Sequence, residues 1–356
     1  MRRQATLLAA LATGATALVT LGVTGTGASA STGHYQSSRP LPYQVFAPYY
    51  EMYDTSTDLA ALSQQSGSKY LSLAFLQTAT AGSCTAYWDG DTTQPIAAAS
   101  FGSDIADIQR HGGNVIPSFG GFTADTTNTE IADSCTSVPA IAAVYESLIT
   151  TYNVPRIDMD IEADSVTNTA GINRRNEAIA MTEAWAAKHH RHIQFSYTLP
   201  TFQTGLPAAE LGVLQNAVAD GARISTVNLL TFDYFFGTQQ DMVADTEGAA
   251  AGLFTQLQAL YPKATTRQLW HMIGITEMPG IDDFGTDETF STANAVTILQ
   301  WAQRAGLGLV SFWALQRDNG SCVGTKGAGA CSGVAQPTWY FSHVFEHFTS
   351  FAHFGI

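Results

Sequence analysis

The chain has 356 residues, a formal net charge of −14 and few charged side chains, 13%, whereas aromatic residues make up 11%. An acidic surface repels phosphate backbones, so nucleic acid is not expected as a partner. The sparse charge and the abundant rings instead favour a neutral substrate that can stack on aromatic side chains.

The first thirty residues are predicted to be an export signal. Arg2 and Arg3 precede an apolar run from Leu7 to Val23, and small residues follow at positions 28–30. The run is interrupted and is too short for a comfortable membrane span. The mature chain is therefore expected to begin near Ser31 and to be secreted, with no membrane partner.

Short runs rich in β-branched and aromatic residues then alternate with stretches of helical periodicity, as in repeated βα units. The predicted strands are 44–49, 70–75, 114–119, 156–162, 192–199, 225–232, 268–275 and 308–315. The predicted helices are 58–65, 103–111, 138–151, 174–188, 208–219, 248–260, 292–305 and 339–348. Eight strands, each followed by a helix, predict an α/β fold: a single-domain (β/α)8 TIM barrel over residues 31–356. A doubly wound open sheet is the alternative.

Four cysteines in an exported chain favour disulfides over a metal site, and they allow three pairings. Cys322 and Cys331 flank a short glycine-rich stretch and are expected to close one loop. Cys84 and Cys135 would then pair by default, and both are expected in loops that follow strands. The sequence alone leaves the other pairings open.

The fourth predicted strand carries acids at alternate positions, Asp158, Asp160 and Glu162. Side chains alternate between the faces of a strand, so the acids share one face and apolar residues the other. We expect the apolar face to meet the helices, which directs the acids into the barrel. Burial and like charge oppose their ionisation. Because barrel enzymes hold their chemistry at the C-terminal ends of strands, the pattern predicts a catalytic segment rather than a solvated edge strand.

The acidic strand resembles the fourth strand of the family 18 glycoside hydrolases, the chitinase family, which carries two aspartates and a glutamate at alternate positions. Other segments are similar to family motifs in the same order along the chain: Ser-Phe-Gly-Gly at 118–121, 195–200, Leu-Thr-Phe-Asp-Tyr at 230–234, Ser-Phe-Trp at 311–313 and 317–320. Two departures stand out. Pro155 and Arg156 replace the usual Asp-Gly before the strand, and Phe232 replaces a tyrosine whose hydroxyl assists the reaction.

The resemblance implies a retaining reaction in which the substrate supplies its own nucleophile. Glu162 would protonate the glycosidic oxygen. Asp160 would orient the substrate's N-acetyl group, whose carbonyl oxygen attacks the anomeric carbon. Asp158 would share a proton with Asp160, because neighbouring carboxyls do not both ionise easily. No cofactor is implied.

The resemblance also implies a set of substrate-binding residues. They are Gly120, Tyr197, Asp233, Tyr234 and Trp313. Trp313 would form the floor on which the sugar ring stacks, and Asp233 with Tyr234 would place the sugar. Tyr234 or Tyr197 is the expected source of the hydroxyl that Phe232 lacks.

The predicted function is that of a secreted, monomeric chitinase acting on chitin or chito-oligosaccharides. Two alternatives use the same fold: an endo-β-N-acetylglucosaminidase acting on N-glycans, and a non-catalytic lectin or inhibitor. The presence of Glu162 favours an enzyme. His343, Glu346 and His347 match a zinc-protease pattern, but no further ligand follows well downstream, so no metal is expected.

Overall fold

A computed structural model describes residues 39–327 and 329–350 of the chain. The predicted export signal lies outside these residues. The barrel strands among them are Val45–Phe46 continued by Tyr49–Glu51, Tyr70–Thr78, Asn114–Gly120, Arg156–Asp160, Gln194–Pro200, Thr226–Leu230, Ile273–Glu277 and Leu309–Phe312. All of them pair in parallel with their barrel neighbours.

The first strand closes the barrel in two parts. Val45–Phe46 pairs with the last strand, Leu309–Phe312, whereas Tyr49–Glu51 pairs with the second strand, Tyr70–Thr78. The remaining strands pair in chain order between these two edges. The sheet therefore returns to its first strand, which confirms the predicted (β/α)8 barrel and excludes the open sheet.

Helices lie between successive strands and cover the barrel. Those of the described residues are Leu59–Ser66, Gly102–Arg110, Phe122–Thr127, Ile131–Ser134, Val138–Tyr152, Thr169–Lys188, Ala208–Asp220, Met242–Leu260, Thr266–His271, Thr292–Ala305 and Tyr340–Phe345. Asp58, Ser137 and Asn168 each accept a backbone N–H in the first turn of a helix, which satisfies a donor that the helix leaves unpaired. No helix in this part of the chain is long and apolar enough to cross a membrane.

The strand predicted at 268–275 is wrong in its first half. That half belongs to the helix Thr266–His271, and the seventh barrel strand is Ile273–Glu277. Thr265 and Gln268 form a capping box, in which each side chain accepts the other residue's backbone N–H. This reciprocal cap begins a helix inside an apolar run that otherwise suits a strand.

Both expected disulfides are formed, Cys84 with Cys135 and Cys322 with Cys331. The first joins the loop after the second barrel strand to the end of the short helix Ile131–Ser134. It therefore ties together two connections at the C-terminal end of the barrel. The second closes a loop that follows the last strand.

Replacing Cys84 and Cys135 by alanine is expected to destabilise the fold more than replacing Cys322 and Cys331. The two bridges span 51 and 9 residues of chain. Loop-closure entropy in the unfolded chain then corresponds to about 4 kcal/mol for the longer bridge and about 3 kcal/mol for the shorter. Guanidinium unfolding of both double variants would measure the difference. Equal losses would contradict this entropic account.

Candidate active site

A cavity of about 610 Å³ opens at the C-terminal end of the barrel. Its lining residues come from loops and strand ends all around the sheet: Tyr53, Phe75, Gln77, Asp89, Gly120, Phe122, Thr123, Ala124, Asp160, Glu162, Leu230, Phe232, Asp233, Asp283, Phe284 and Trp313. A larger cavity of about 930 Å³ lies at the N-terminal end, between Tyr43, Trp270 and Trp301, and has no acid among its lining residues. The C-terminal cavity is therefore the candidate site.

The fourth strand presents its two faces as predicted. Ile157 and Met159, with Ile161 just beyond the strand's end, are fully buried in the core cluster that the helices cover. Asp158 and Asp160 lie on the opposite face, inside the barrel, and both are buried. The alternation in the sequence thus places the apolar side chains against the helices and the acidic side chains inside the barrel.

Asp158 is surrounded by hydroxyl groups from neighbouring strands. Ser196 donates to its Oδ1 at 2.6 Å, and Ser118 and Tyr49 donate to its Oδ2 at 2.8 and 3.0 Å. The hydroxyl of Thr198 lies 3.0 Å from both oxygens. Burial raises the pKa of Asp158, and these hydrogen bonds oppose the rise by stabilising the carboxylate.

Asp160 lacks such support. Its Oδ1 is buried and has no hydrogen-bond partner among the described residues. Burial, followed by the negative charges of Glu162 and Asp158, raises the pKa of Asp160 well above its ordinary value. Burial and the two neighbouring charges therefore favour the neutral form of Asp160 over the carboxylate. Within residues 39–327, no hydrogen bond joins it to Asp158, so the two carboxyls do not share a proton directly in this geometry.

Glu162 follows the fourth strand, which ends at Asp160, two residues earlier than predicted. Its backbone is still extended, with φ −128° and ψ −177°, and its half-buried side chain lines the cavity. Burial raises the pKa of Glu162 to about 7, against a lowering effect of the Phe122 backbone N–H. The backbone N–H of Glu162 itself donates to Oδ2 of Asp125.

Gly120 ends the third strand and lines the cavity beside Asp160. Its φ is 99°, and a Cβ at this position would lie 2.0 Å from the carbonyl oxygen of Asp160. Only glycine permits so close an approach of the two strand ends. The steric requirement explains a glycine at position 120, and its contact with a substrate stays a prediction.

Two further predicted residues lie at the cavity. Asp233 has a left-handed backbone, φ 55°, and a buried Oδ1 without a partner among the described residues. Burial, with the charges of Asp283 and Asp282, raises the pKa of Asp233 to about 8. The half-buried Trp313 stacks on Phe75 with ring centroids 5.5 Å apart and an interplanar angle of 12°.

The structure places the two predicted tyrosines away from the cavity. Tyr197 pairs in register with Met159, so its ring faces the helices, where its hydroxyl donates to Oδ1 of Asn176 at 2.8 Å. Tyr234 is buried in the core cluster and is not among the lining residues. Neither tyrosine therefore brings a hydroxyl to the cavity to replace the one absent at Phe232, and the prediction for Tyr197 is corrected.

Asp282 and Glu288 brace the loops that follow the sixth and seventh strands. Asp282 accepts the backbone N–H of Asp233 at 3.3 Å, and Glu288 accepts that of Tyr234 at 2.7 Å. Asp282 also accepts the N–H of Phe284 at 3.0 Å. Burial, followed by a hydrogen bond with Glu288, raises the pKa of Asp282 to about 7.

Several site residues carry no motif that sequence reasoning used. Exposed aromatic rings at the cavity come from three separate connections, from loops at Tyr53 and Phe284 and from the first residue of a short helix at Phe122. Asp125, which contacts the Glu162 backbone, lies in a short polar helix. Its position soon after the end of the third strand could have indicated a site residue, because barrel enzymes place such residues after the C-terminal ends of strands. The described residues contain no group of three or more histidines, cysteines or acids arranged to hold a metal ion.

Comparisons with known proteins show relatives of one kind. The chain is 32% identical over 321 residues to the probable bifunctional chitinase/lysozyme of Escherichia coli (strain K12), covering 86% of this chain and 35% of that protein. It is also 32% identical over 290 residues to endochitinase 11 of Metarhizium anisopliae, covering 78% of this chain and 53% of that protein. The chain thus spans about a third and about half of these relatives. No protein-family model matches it.

Solved structures are similar over the whole barrel. The catalytic domain of a hyperthermophilic chitinase from Pyrococcus furiosus superposes with a TM-score of 0.76 at 27% identity, covering 88% of this chain and 97% of that one. Catalytic-site mutants of active domain 2 of the chitinase from the same organism, complexed with chito-oligosaccharides, match at a TM-score of 0.76 and 26% identity. Together with the acids at the mouth of the barrel, these relationships make the chain similar to glycoside hydrolases in sequence, fold and site.

The chitinases among these relatives agree with the family that the motifs predicted. The barrel is similar to those of the family 18 glycoside hydrolases, the chitinase type.

Proposed function

We propose that the protein is a secreted chitinase that hydrolyses β-1,4-linked N-acetylglucosamine chains, with Glu162 as acid and then base. The observation that carries this proposal is the placement, at one cavity, of a glutamate whose pKa is about 7 and a buried aspartate, Asp160, whose pKa burial and neighbouring charge raise. The names of the relatives, a chitinase/lysozyme and an endochitinase, support the substrate. Two disulfides support secretion.

The proposed reaction proceeds in two steps. In the first, the acetamido carbonyl oxygen attacks the anomeric carbon while the glycosidic bond breaks and Glu162 passes its proton to the leaving oxygen. In the second, Glu162 takes a proton from water, whose oxygen opens the cyclic oxazolinium and restores the original anomeric configuration. Asp160 accepts a hydrogen bond from the acetamido N–H and becomes easier to ionise as positive charge develops.

Asp158 supports this role through its surroundings. Its contacts with Tyr49, Ser118, Ser196 and Thr198 hold it at the base of the site and stabilise its charge. A charged Asp158 in turn disfavours ionisation of Asp160 until the intermediate forms. Asp158 thereby tunes Asp160 without contacting the sugar.

Asp233 offers a substitute for the hydroxyl absent at Phe232. A carboxyl whose pKa is about 8 is protonated at neutral pH and donates a hydrogen bond, as a tyrosine hydroxyl does. Its Oδ1, which has no hydrogen-bond partner among the described residues, and its place at the cavity fit a donor to the acetamido oxygen. Trp313 would support the sugar ring from below.

Activity should be independent of pH in the weakly acidic range and fall above pH 7. The first step needs protonated Glu162, and burial raises the pKa of that group to about 7. On the alkaline side, kcat/KM should therefore decrease about tenfold for each further pH unit. A profile on a soluble chito-oligosaccharide would measure this. An alkaline limb near pH 4.5, the value of an ordinary glutamate, would contradict the assignment.

Product analysis tests the proposed function as a whole. A chito-oligosaccharide should be cleaved with retention of the β-anomer, seen by NMR, whereas its deacetylated counterpart should resist cleavage because the internal nucleophile is missing. Tight binding without turnover would instead indicate the lectin or inhibitor alternative. Preferential release of N-glycans from a glycoprotein would indicate the endoglycosidase.

A further inference from the structure

Asp125 is a buried carboxyl beside the acid that the proposed mechanism uses. It belongs to the helix Phe122–Thr127, which begins directly after Gly121, and only 2% of the residue is exposed. Its Oδ2 accepts the backbone N–H of Glu162. Asp125 thus contacts the main chain of the acid and not its carboxyl.

The contact between the helix and Glu162 runs in both directions. The backbone N–H of Phe122, the first residue of the helix, lowers the pKa of the Glu162 carboxyl. Asp125 in this helix therefore accepts a hydrogen bond from the Glu162 N–H, and the first N–H of the helix donates a hydrogen bond to the Glu162 side chain. Two hydrogen bonds of opposite direction fix both the position of this residue and the direction of its side chain.

A second carboxyl holds the rest of the loop that begins at Glu162. Asp133, in the helix Ile131–Ser134, accepts the hydroxyl of Ser165 and the amide of Asn168, the latter at 2.9 Å. The buried Arg175 lies 3.8 Å from Asp133 and anchors it. The residues after the third strand therefore form hydrogen bonds with both ends of the loop after the fourth strand.

The other oxygen of Asp125, Oδ1, differs in its surroundings from Oδ2. Oδ1 is buried without a hydrogen bond among the described residues, and a Cβ on Gly120 would lie 3.4 Å from it. The charged groups that act on Asp125 are Glu130, Glu162 and Arg175, and Asp125 in turn acts on Asp160. Burial, followed by the charge of Glu130, raises the pKa of Asp125 to about 9. It is a neutral hydrogen-bond acceptor when the site works.

We infer that Asp125 is a positioning residue for Glu162. It holds Glu162 in place by accepting the Glu162 backbone N–H, and it keeps water out of the buried space next to Glu162. This inference rests on the proposed function. Asp125 has no contact with the substrate in this role. Its contribution is the orientation and dry surroundings of the group that moves the proton.

Three substitutions test the inference on a soluble chito-oligosaccharide. In Asp125→Asn the side-chain amide oxygen still accepts the Glu162 N–H, so kcat should remain within about threefold and the alkaline limb should stay near pH 7. In Asp125→Ala the acceptor is lost and water can enter. There kcat should fall about 10- to 100-fold with KM nearly unchanged, and the alkaline limb should move to lower pH as Glu162 becomes better solvated. Asp125→Ser serves in place of the alanine variant if that variant does not fold.

Asp164→Asn is the matched control, because Asp164 is an exposed acid two residues after Glu162. It should behave as the parent protein. The inference is overturned if Asp125→Ala keeps the parent kcat and alkaline limb, or if Asp125→Asn loses as much as Asp125→Ala. Absence of turnover in the parent protein would overturn the proposed function instead, so the two failures are distinguishable.

Discussion

Glu162→Gln is expected to abolish hydrolysis of chito-oligosaccharides while leaving their binding nearly unchanged. Glutamine has the same shape and keeps the backbone N–H that donates to Asp125. It has no proton to give to the leaving oxygen, a loss of about 10²- to 10⁴-fold in kcat for a general acid. Initial rates and calorimetric binding of the same oligosaccharide would measure the two effects separately.

The fold of the Glu162 variant should be unharmed. Glutamine removes a buried carboxyl whose ionisation is unfavourable, so thermal unfolding near neutral pH should occur at the same or a higher temperature. A variant that folds, binds the oligosaccharide and still turns it over at the parent rate would remove Glu162 from the role of acid.

Asp160→Ala is expected to lower kcat by about 100- to 1000-fold, because the acetamido group loses the partner that orients it and that stabilises the developing positive charge. KM should change much less, since most of the sugar contacts remain. The loss should be smaller for Asp160→Asn, whose amide oxygen can still accept a hydrogen bond from the acetamido N–H. Anomer-resolved NMR of the residual product would show whether the same chemistry persists.

Asp89→Asn provides the control for this experiment. Asp89 lines the same cavity but is an exposed acid on the connection after the second strand and does not belong to the acidic strand. Its substitution should change kcat by less than about threefold. Equal losses in the Asp89 and Asp160 variants would show that any acid at the cavity matters in the same way, against a specific role for Asp160.

The alternation of apolar and acidic residues along the fourth strand was enough to predict which side chains face the helices and which face the inside of the barrel. Ile157 and Met159 are buried among the helices, and Asp158 and Asp160 face inward, as a period of two requires. The same rule applied to the fifth strand would have placed Tyr197 on the helix side, since it pairs with Met159. The expectation for Tyr197 came from the family resemblance, and local geometry overrides it.

Short polar helices escaped prediction for a physical reason. Phe122–Thr127 and Ile131–Ser134 have too few turns for an apolar stripe to show in the sequence. Tertiary contacts hold them, through Asp125 to Glu162 and through Glu130 to the buried Arg175 at 2.8 Å. Such partners are distant in sequence, so the contacts that hold the loop after the fourth strand become visible only in three dimensions.

The backbone N–H groups that Asp282 and Glu288 accept have a consequence for protein engineering. Because these carboxyls accept backbone N–H groups from residues 233, 234 and 236 as well as from residues 284 and 285, the two loops form one mechanical unit. A graft that transplants only the loop after the sixth strand into another barrel would leave its N–H groups without acceptors. Transfer of this side of the cavity to another barrel therefore requires that both loops move together.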